Sequence, residues 1–135
     1  MEDKIVYAYV VADILHIGHI LALENAKALG DKLVVGVLTD EAVMEKKKKP
    51  VFSLGERIKI IKSLRCVDLA IPQPTYSPTE NIIKVKPHIV VESDSHNEKD
   101  IKYTEKIAKK IGARVFVMPY FPEQSSTKIK MEIKK

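Results

Sequence analysis

A nearly continuous apolar run over residues 4–12 leads within a few residues to the segment 16–19, which reads His-Ile-Gly-His. Such a run is typical of a strand that is buried on both faces of a parallel sheet. From Gly18 to Leu29 the apolar positions recur at helical spacing, and Gly30 supplies a stop signal. The histidines therefore lie in a strand-to-helix turn at the carboxyl end of the first strand, where open α/β sheets bind ligands.

This turn has the chemistry of a phosphate-binding site. His16 and His19 are three residues apart, so they project from one face if both lie in the first turn of the helix. Gly18 lets the backbone approach a bulky anion because it has no Cβ. A helix N-terminus also presents backbone N–H groups to anions. The pattern indicates a nucleotide-handling site.

Other interpretations of the same residues stay open at this point. A His-x-x-His pair can hold zinc, but a third ligand and the glutamate of the His-Glu-x-x-His motif are missing. Either histidine could instead be a hydrogen-bonded core residue. Asp13, which precedes the turn, could simply cap the helix.

Strands and helices are predicted to alternate over the rest of the chain, which favours a single Rossmann-like domain over residues 1–135. Its doubly wound, mostly parallel five-stranded sheet carries helices on both faces. Residues 39–51 and 72–78 are predicted to be irregular, the first as a mobile flap. The predicted strands are 4–12, 32–38, 68–71, 88–91 and 114–118, and the predicted helices are 18–29, 53–64, 78–85, 98–111 and 125–134.

The amino-acid composition argues against several classes of protein. The net charge is +5, but aromatic residues are few and the lysines are spread along the chain, so we expect no nucleic-acid partner. A cationic surface also steers triphosphates toward a cleft. No apolar segment reaches the ~18 residues of a membrane span, so we expect no membrane contact and a cytoplasmic protein. The single cysteine, Cys66, excludes an internal disulfide framework.

Further motifs follow the histidine turn in a recognisable order: lysines at 46–49, Ser53 and Arg57, the stretch Arg-Cys-Val-Asp at 65–68, and Ser-Ser-Thr-Lys-Ile-Lys at 125–130. Together with the His-Ile-Gly-His turn they resemble the nucleotidyltransferases that carry the HIGH signature, and within them the glycerol-3-phosphate cytidylyltransferases. The resemblance covers nearly the whole chain. It implies a homodimeric enzyme that uses CTP, Mg²⁺ and a small phosphorylated acceptor such as glycerol 3-phosphate.

The resemblance also implies roles for individual residues. The catalytic group comprises the two histidines, which stabilise charge at the α-phosphoryl, Lys48 from the loop and Arg57 on substrate phosphate. Asp13 fixes the turn or helps to hold Mg²⁺ with the phosphates. The nucleotide-binding group is expected to be Val11, Ala12, Asp13, Gly18, Lys46, Asp94, Ser125, Ser126 and Thr127.

Two departures from that family leave the substrate open. The stretch Ser93-Asp94-Ser95-His96 stands where the family has Gly-Asp-Asp-Trp, and Tyr120 stands where it has a phosphate-binding arginine. Archaeal FAD synthases, which use ATP and FMN, share the framework. An ATP-dependent adenylyltransferase acting on FMN or a sugar phosphate is therefore an alternative. A nucleotide-binding protein without catalysis is another.

Overall fold

Five parallel strands form one sheet in the computed structural model, which describes residues 2–94 and 96–119. The strands are β1 (Ile5–Val10), β2 (Lys32–Leu38), β3 (Leu69–Gln73), β4 (Ile89–Ser93) and β5 (Arg114–Met118). The helices in this part of the chain are α1 (Ile17–Lys27), α2 (Asp40–Met44), α3 (Leu54–Lys62), α4 (Thr79–Val85) and α5 (Glu98–Lys110).

The strand order is β3-β2-β1-β4-β5, and every neighbouring pair is parallel. The chain builds outward from β1 through β2 to β3, then returns to the other side of β1 to add β4 and β5. The order therefore reverses between β1 and β4, and the carboxyl ends of these two strands flank the crevice where such sheets bind ligands. The predicted fold class is confirmed.

The two faces of the sheet carry separate cores because side chains alternate along each strand. On one face Val6 and Ala8 pack in a cluster with Leu23 of α1 and Ile61 of α3. On the other face Tyr7 packs with residues of α4 and α5. Gly36 of β2 lies next to the Tyr7 side chain. A Cβ at this position would overlap the tyrosine hydroxyl, so only glycine allows the two residues to lie this close together.

Several element boundaries differ from the sequence prediction. The segment 39–51 is not wholly irregular, because Thr39 caps the short helix α2 through its hydroxyl and two acidic residues follow in the first turn. Pro72 and Gln73 belong to β3 rather than to a loop. Because β3 is an edge strand, proline is tolerated there. The predicted helix 125–134 lies outside the described residues.

Strand β1 ends at Val10, two residues earlier than predicted. The chain leaves the sheet through Ala12, which has a φ of 58° and is buried. A left-handed conformation is unusual for alanine, and such geometry concentrates near functional turns. Across the described residues, none of the helices is both long and apolar enough to span a membrane.

Candidate active site

The two histidines of the signature lie at the first turn of α1 and are held by the backbone of that turn. His16 is the N-cap, and its Nδ1 accepts a hydrogen bond from the Gly18 N–H at 3.0 Å. The Nδ1 of His19 accepts from the His16 N–H at 3.2 Å, and the two ring centroids are 4.0 Å apart. The helix is therefore capped by His16, and the alternative that Asp13 caps it is wrong.

This capping fixes the tautomer of both rings. A neutral imidazole whose Nδ1 accepts a hydrogen bond must carry its proton on Nε2. Burial lowers the pKa of His16, and burial together with the charges of His16 and Lys47 lowers the pKa of His19 to about 4. Both histidines are thus neutral at pH 7, with their Nε2–H groups left to donate to a ligand.

Asp13 anchors the far end of the lysine-rich segment. Its side chain is 2% exposed, and Oδ1 accepts from the N–H groups of Val51 at 2.9 Å and Phe52 at 3.0 Å. Oδ2 accepts from the same Val51 N–H at 3.1 Å. These bonds join the turn after β1 to the residues that precede α3, which matches the expectation that Asp13 fixes the turn.

Arg57 lies in the protein interior, which the sequence did not indicate. Its side chain is fully buried, and its guanidinium donates to the carbonyl oxygens of Phe52, Val11 and Leu38 at 3.1, 2.9 and 2.6 Å. A 2.7 Å ion pair to Asp40 completes the set. Four of the five N–H groups of a guanidinium are thereby used within the protein. The expected role of Arg57, a group that binds substrate phosphate, therefore disagrees with this geometry.

The lysine loop, residues 45–50, lies between anchors at both of its ends. Lys48 is exposed, as are its neighbours Lys47 and Lys49, while Lys46 forms a 2.7 Å ion pair with Asp100 of α5. The Asp100 carboxylate raises the pKa of Lys46. The charge of Lys47, which the sequence analysis did not single out, adds to burial and His16 in lowering the pKa of His19.

A second polar cluster lies on the opposite face of the sheet, at the carboxyl ends of β1 and β4. The Glu92 carboxylate is 1% exposed, and its Oε1 accepts from the Tyr9 hydroxyl at 2.6 Å and is 2.6 Å from His96 Nδ1. The rings of Tyr9 and His96 stack with centroids 5.3 Å apart. Burial, and then the charge of Glu92, raises the pKa of the Tyr9 hydroxyl.

Sequence reasoning missed this cluster, although one signal was present. Residue 96 is a histidine where the resembled family has tryptophan, and it follows the strand that flanks the topological switch. Tyr9 and Glu92 resemble ordinary strand residues in the sequence. Only the pairing of β1 with β4 shows that their side chains meet.

Comparison with known proteins identifies the family of this chain. The cytidylyltransferase-like family model matches residues 9–132. The chain belongs to the cytidylyltransferase-like family. The sequence prediction of a cytidylyltransferase-like enzyme is thereby confirmed at the level of the family.

The relatives of this cytidylyltransferase-like chain carry different names and differ in length. It is 39% identical to an FAD synthase from Thermococcus sibiricus over 82% of this chain and 76% of that protein. It is 29% identical to the bifunctional protein HldE of Helicobacter hepaticus over 95% of this chain, but it spans only 26% of that protein. The crystal structure of a lipopolysaccharide core biosynthesis protein from Thermoplasma volcanium superimposes with a TM-score of 0.77 at 33% identity, over 89% of this chain and 98% of that one.

The other predicted site residues fall into two groups. Asp94 is exposed directly after β4, and its backbone N–H donates to Met118 at 2.9 Å, so it lies at the same edge of the sheet as the histidines. Val11 and Ala12 form the exit of β1, and Gly18 is buried in the first turn of α1. Outside the described residues lie Ser95, Tyr120, Ser125, Ser126 and Thr127.

The described residues do not form a ready Mg²⁺ site in this cytidylyltransferase-like chain. Mg²⁺ is usually held by one or two carboxylates together with substrate phosphates. Asp13 is almost fully buried and both of its oxygens accept backbone N–H groups, so it does not fit as a direct ligand. Over residues 2–94 and 96–119 the side chains form no cluster of three or more acidic, histidine or cysteine groups suited to a metal.

Proposed function

We propose that this chain transfers a nucleoside monophosphate from a nucleoside triphosphate to a small phosphorylated acceptor and releases pyrophosphate. The observation that carries the proposal is the pair of neutral histidines at the carboxyl end of β1, each with Nδ1 occupied by a backbone N–H. Two neutral N–H donors side by side suit the oxygens of an α-phosphoryl group. They stabilise the charge that develops there without giving up a proton.

The proposed reaction is a direct displacement. An acceptor phosphate oxygen attacks the α-phosphorus, and the bond from that phosphorus to the bridging oxygen breaks as pyrophosphate leaves. The protein supplies positioning and charge neutralisation rather than a nucleophile. In this scheme His16 and His19 donate to the non-bridging oxygens, and lysines of the loop neutralise the phosphates. Lys47 joins Lys48 in that role because its charge already reaches His19.

Arg57 and Asp13 act as positioning residues in this scheme. Arg57 joins the ends of β1 and β2 to α2 and to the start of α3. Asp13 holds residues 51–52 against the histidine turn. Because α2 precedes the lysine loop and residues 51–52 follow it, these contacts fix both ends of the loop. Mg²⁺ enters the proposal only with the triphosphate.

CTP is the favoured donor, on the strength of the family and of the motifs from 46 to 68. A 72-residue stretch that is 44% identical to an ethanolamine-phosphate cytidylyltransferase of Arabidopsis thaliana supports that choice. The second candidate is ATP with FMN or a sugar phosphate as acceptor. It is favoured by the FAD synthase likeness, which extends over most of both chains.

A pyrophosphate-release assay with four nucleoside triphosphates and a panel of phosphorylated acceptors tests the proposal. We expect release that depends on both substrates, with CTP preferred to ATP by at least ~10-fold in kcat/KM. Asp94→Ala should reduce that preference if Asp94 reads the base. Faster turnover with ATP would select the second candidate, and nucleotide binding without any release would show a binding protein instead.

A further inference from the structure

A fully buried amide side chain, that of Gln73, lies at the end of the edge strand β3. Its Oε1 accepts a hydrogen bond from the Tyr7 hydroxyl at 2.6 Å. Its Nε2 donates to the carbonyl oxygens of Thr75 at 3.0 Å and Tyr76 at 3.1 Å. Burying an amide is costly unless its polar atoms are paired, and here both ends of the amide are paired.

The neighbours of Gln73 allow one orientation of its amide. Asn81 Nδ2 donates to the Tyr7 hydroxyl and to the Pro72 carbonyl oxygen, both at 2.9 Å. The Tyr7 hydroxyl accepts from Asn81 and therefore gives its single proton to Gln73 Oε1. The Nε2 of Gln73 then faces two carbonyl oxygens, which can only accept. Buried networks of this kind favour one local structure.

The amide of Gln73 holds the segment after β3, residues 74–77, and this segment contacts the start of the lysine loop. The Tyr76 N–H donates to Glu45 Oε2 at 2.9 Å. The centre of the Tyr76 ring lies 5.0 Å from the Nζ of Lys46. Because Glu45 and Lys46 are the first two residues of the lysine loop, their position depends on that of segment 74–77.

The backbone of Gln73 contacts the other end of the helix that leads into this loop. Its carbonyl oxygen accepts from the Thr39 N–H at 3.0 Å, and Thr39 is the N-cap of α2. Helix α2 ends at Met44, directly before the lysine loop. One residue of β3 is thus connected to both ends of α2, at Thr39 directly and at Glu45 through Tyr76.

The lysine loop continues from these contacts toward the histidine turn. Burial lowers the pKa of His19, and the charges of His16 and Lys47 add to that effect. Lys47 directly follows Lys46, and consecutive Cα atoms are about 3.8 Å apart. A displacement of segment 74–77 would therefore reach the lysines beside the histidines.

We propose that Gln73 is a positioning residue for the transfer reaction, which sets through segment 74–77 and α2 where the lysines of the loop meet the phosphates. The inference rests on the proposed function. Gln73 is enclosed and acts through Tyr76 and Glu45. An apolar side chain could fill the same space, but it could not hold the two carbonyl groups of the segment.

The first test compares substitutions on the two sides of one hydrogen bond. Gln73→Met removes both contacts to the segment, whereas Tyr7→Phe removes the hydroxyl and leaves Nε2 on the segment. Both variants should have a lower Tm, because each leaves a buried polar group unpaired. We expect kcat to fall by ~10- to 10²-fold in Gln73→Met, the scale of misplaced catalytic groups, and to stay at the wild-type value in Tyr7→Phe. The calorimetric Kd of the triphosphate should change little in either variant, because the histidine turn is unaltered.

Hydrogen exchange measures the placement of segment 74–77 without turnover. Tyr7→Phe is the reference because it shares the general loss of stability. The Tyr76 N–H should exchange at least ~10-fold faster in Gln73→Met than in Tyr7→Phe, since only the first variant frees the segment.

Glu45→Ala tests the same route at an exposed position, where loss of the side chain should leave folding intact. It removes the acceptor of the Tyr76 N–H and should lower kcat by ~3-fold, the effect of one exposed hydrogen bond. Glu41→Ala makes an equal change of charge at an exposed position of α2. This control should keep the wild-type kcat.

Equal losses of kcat in Gln73→Met and Tyr7→Phe would show a purely structural role and overturn the inference. So would a wild-type kcat in Gln73→Met or in Glu45→Ala, or equal exchange of the Tyr76 N–H in the two buried variants. A wild-type protein that releases no pyrophosphate would overturn the transfer reaction. Faster Tyr76 exchange in Gln73→Met would then still support the placement of the segment by Gln73.

Discussion

Two buried ionisable side chains at the same edge of the sheet have opposite surroundings. Arg57 is fully enclosed and gives four hydrogen bonds to three carbonyl oxygens and Asp40. Glu92 is equally enclosed, yet both of its contacts fall on one oxygen while the other has no partner in the described chain. Arg57, with four of its five N–H groups already used, has little capacity left for a ligand, in line with the proposed positioning role. Glu92, by contrast, keeps one buried acceptor oxygen that the described residues leave unused.

The largest predicted effect is the loss of folding stability when the buried guanidinium of Arg57 is removed. Arg57→Met removes the guanidinium and leaves a carboxylate and three carbonyl groups without that donor. Because uncompensated buried polar groups are costly, we expect the free energy of unfolding to fall by about 3–5 kcal/mol. Chemical denaturation measures this loss. Lys59→Met, on the exposed face of the same helix, should change stability little, and a similar small effect for Arg57→Met would contradict the architectural role.

Removing either histidine donor should lower kcat by at least ~10²-fold, the scale of losing one preorganised donor. His16→Asn is the sharper variant because asparagine still caps the helix while the Nε2–H is lost. Its stability should stay near that of the wild type. His88→Asn is the matched control, since His88 Nδ1 accepts from Ile5 N–H at the opposite end of the sheet. Normal turnover in folded His16→Asn and His19→Ala variants would show that the site is elsewhere.

Acid should weaken the fold through the histidine pair. Burial keeps the pKa of His19 at about 4, below the ordinary histidine value of 6.5, so the unfolded chain binds the proton more readily. Stability is therefore complete above pH 6.5 and falls toward pH 4, by on the order of 2 kcal/mol. His19→Asn should flatten that part of the stability profile relative to the wild type. Parallel profiles for the two proteins would rule out a depressed pKa.

The smallest predicted effect is the loss of stability when Glu92 loses one hydrogen-bond partner. Tyr9→Phe removes one of the two partners of Glu92 Oε1 while it keeps the ring that stacks on His96. We expect a loss of about 1–2 kcal/mol, the usual cost of depriving a buried acceptor of a hydrogen bond. Thermal unfolding detects a change of this size. A loss as large as that for Arg57→Met would mean that Glu92 is as structural as Arg57.

The sequence predicted the fold well because its signals are local. Apolar runs, helical periodicity and the glycine stop at Gly30 depend on neighbours in the chain, and all five predicted strands are present, with ends that differ by up to two residues. The histidine turn was predicted for the same reason. The helix α2 was missed because five residues are too few to show periodicity, although Thr39 and the acidic residues after it are a capping signal.

The site residues outside that turn depend on contacts between distant segments. Nothing in the sequence distinguishes Arg57 in a capped helix from an exposed arginine, whereas its three carbonyl partners come from the ends of β1 and β2 and from residue 52. Tyr9 and Glu92 are 83 residues apart and meet only because β1 pairs with β4. Family resemblance supplied roles by position, and the burial of Arg57 conflicts with the role that it supplied for this residue.

Nuclear magnetic resonance of the histidine side-chain nitrogens tests the central claim most directly, because it shows which nitrogen carries the proton. The account predicts that His16 and His19 hold the proton on Nε2 at pH 7, as His88 does, and that their Nε2–H signals shift when nucleoside triphosphate is added while that of His88 does not. A protonated Nδ1 on either residue, or a triphosphate titration that leaves both signals unchanged, would contradict the assignment of this turn as the phosphate-binding site.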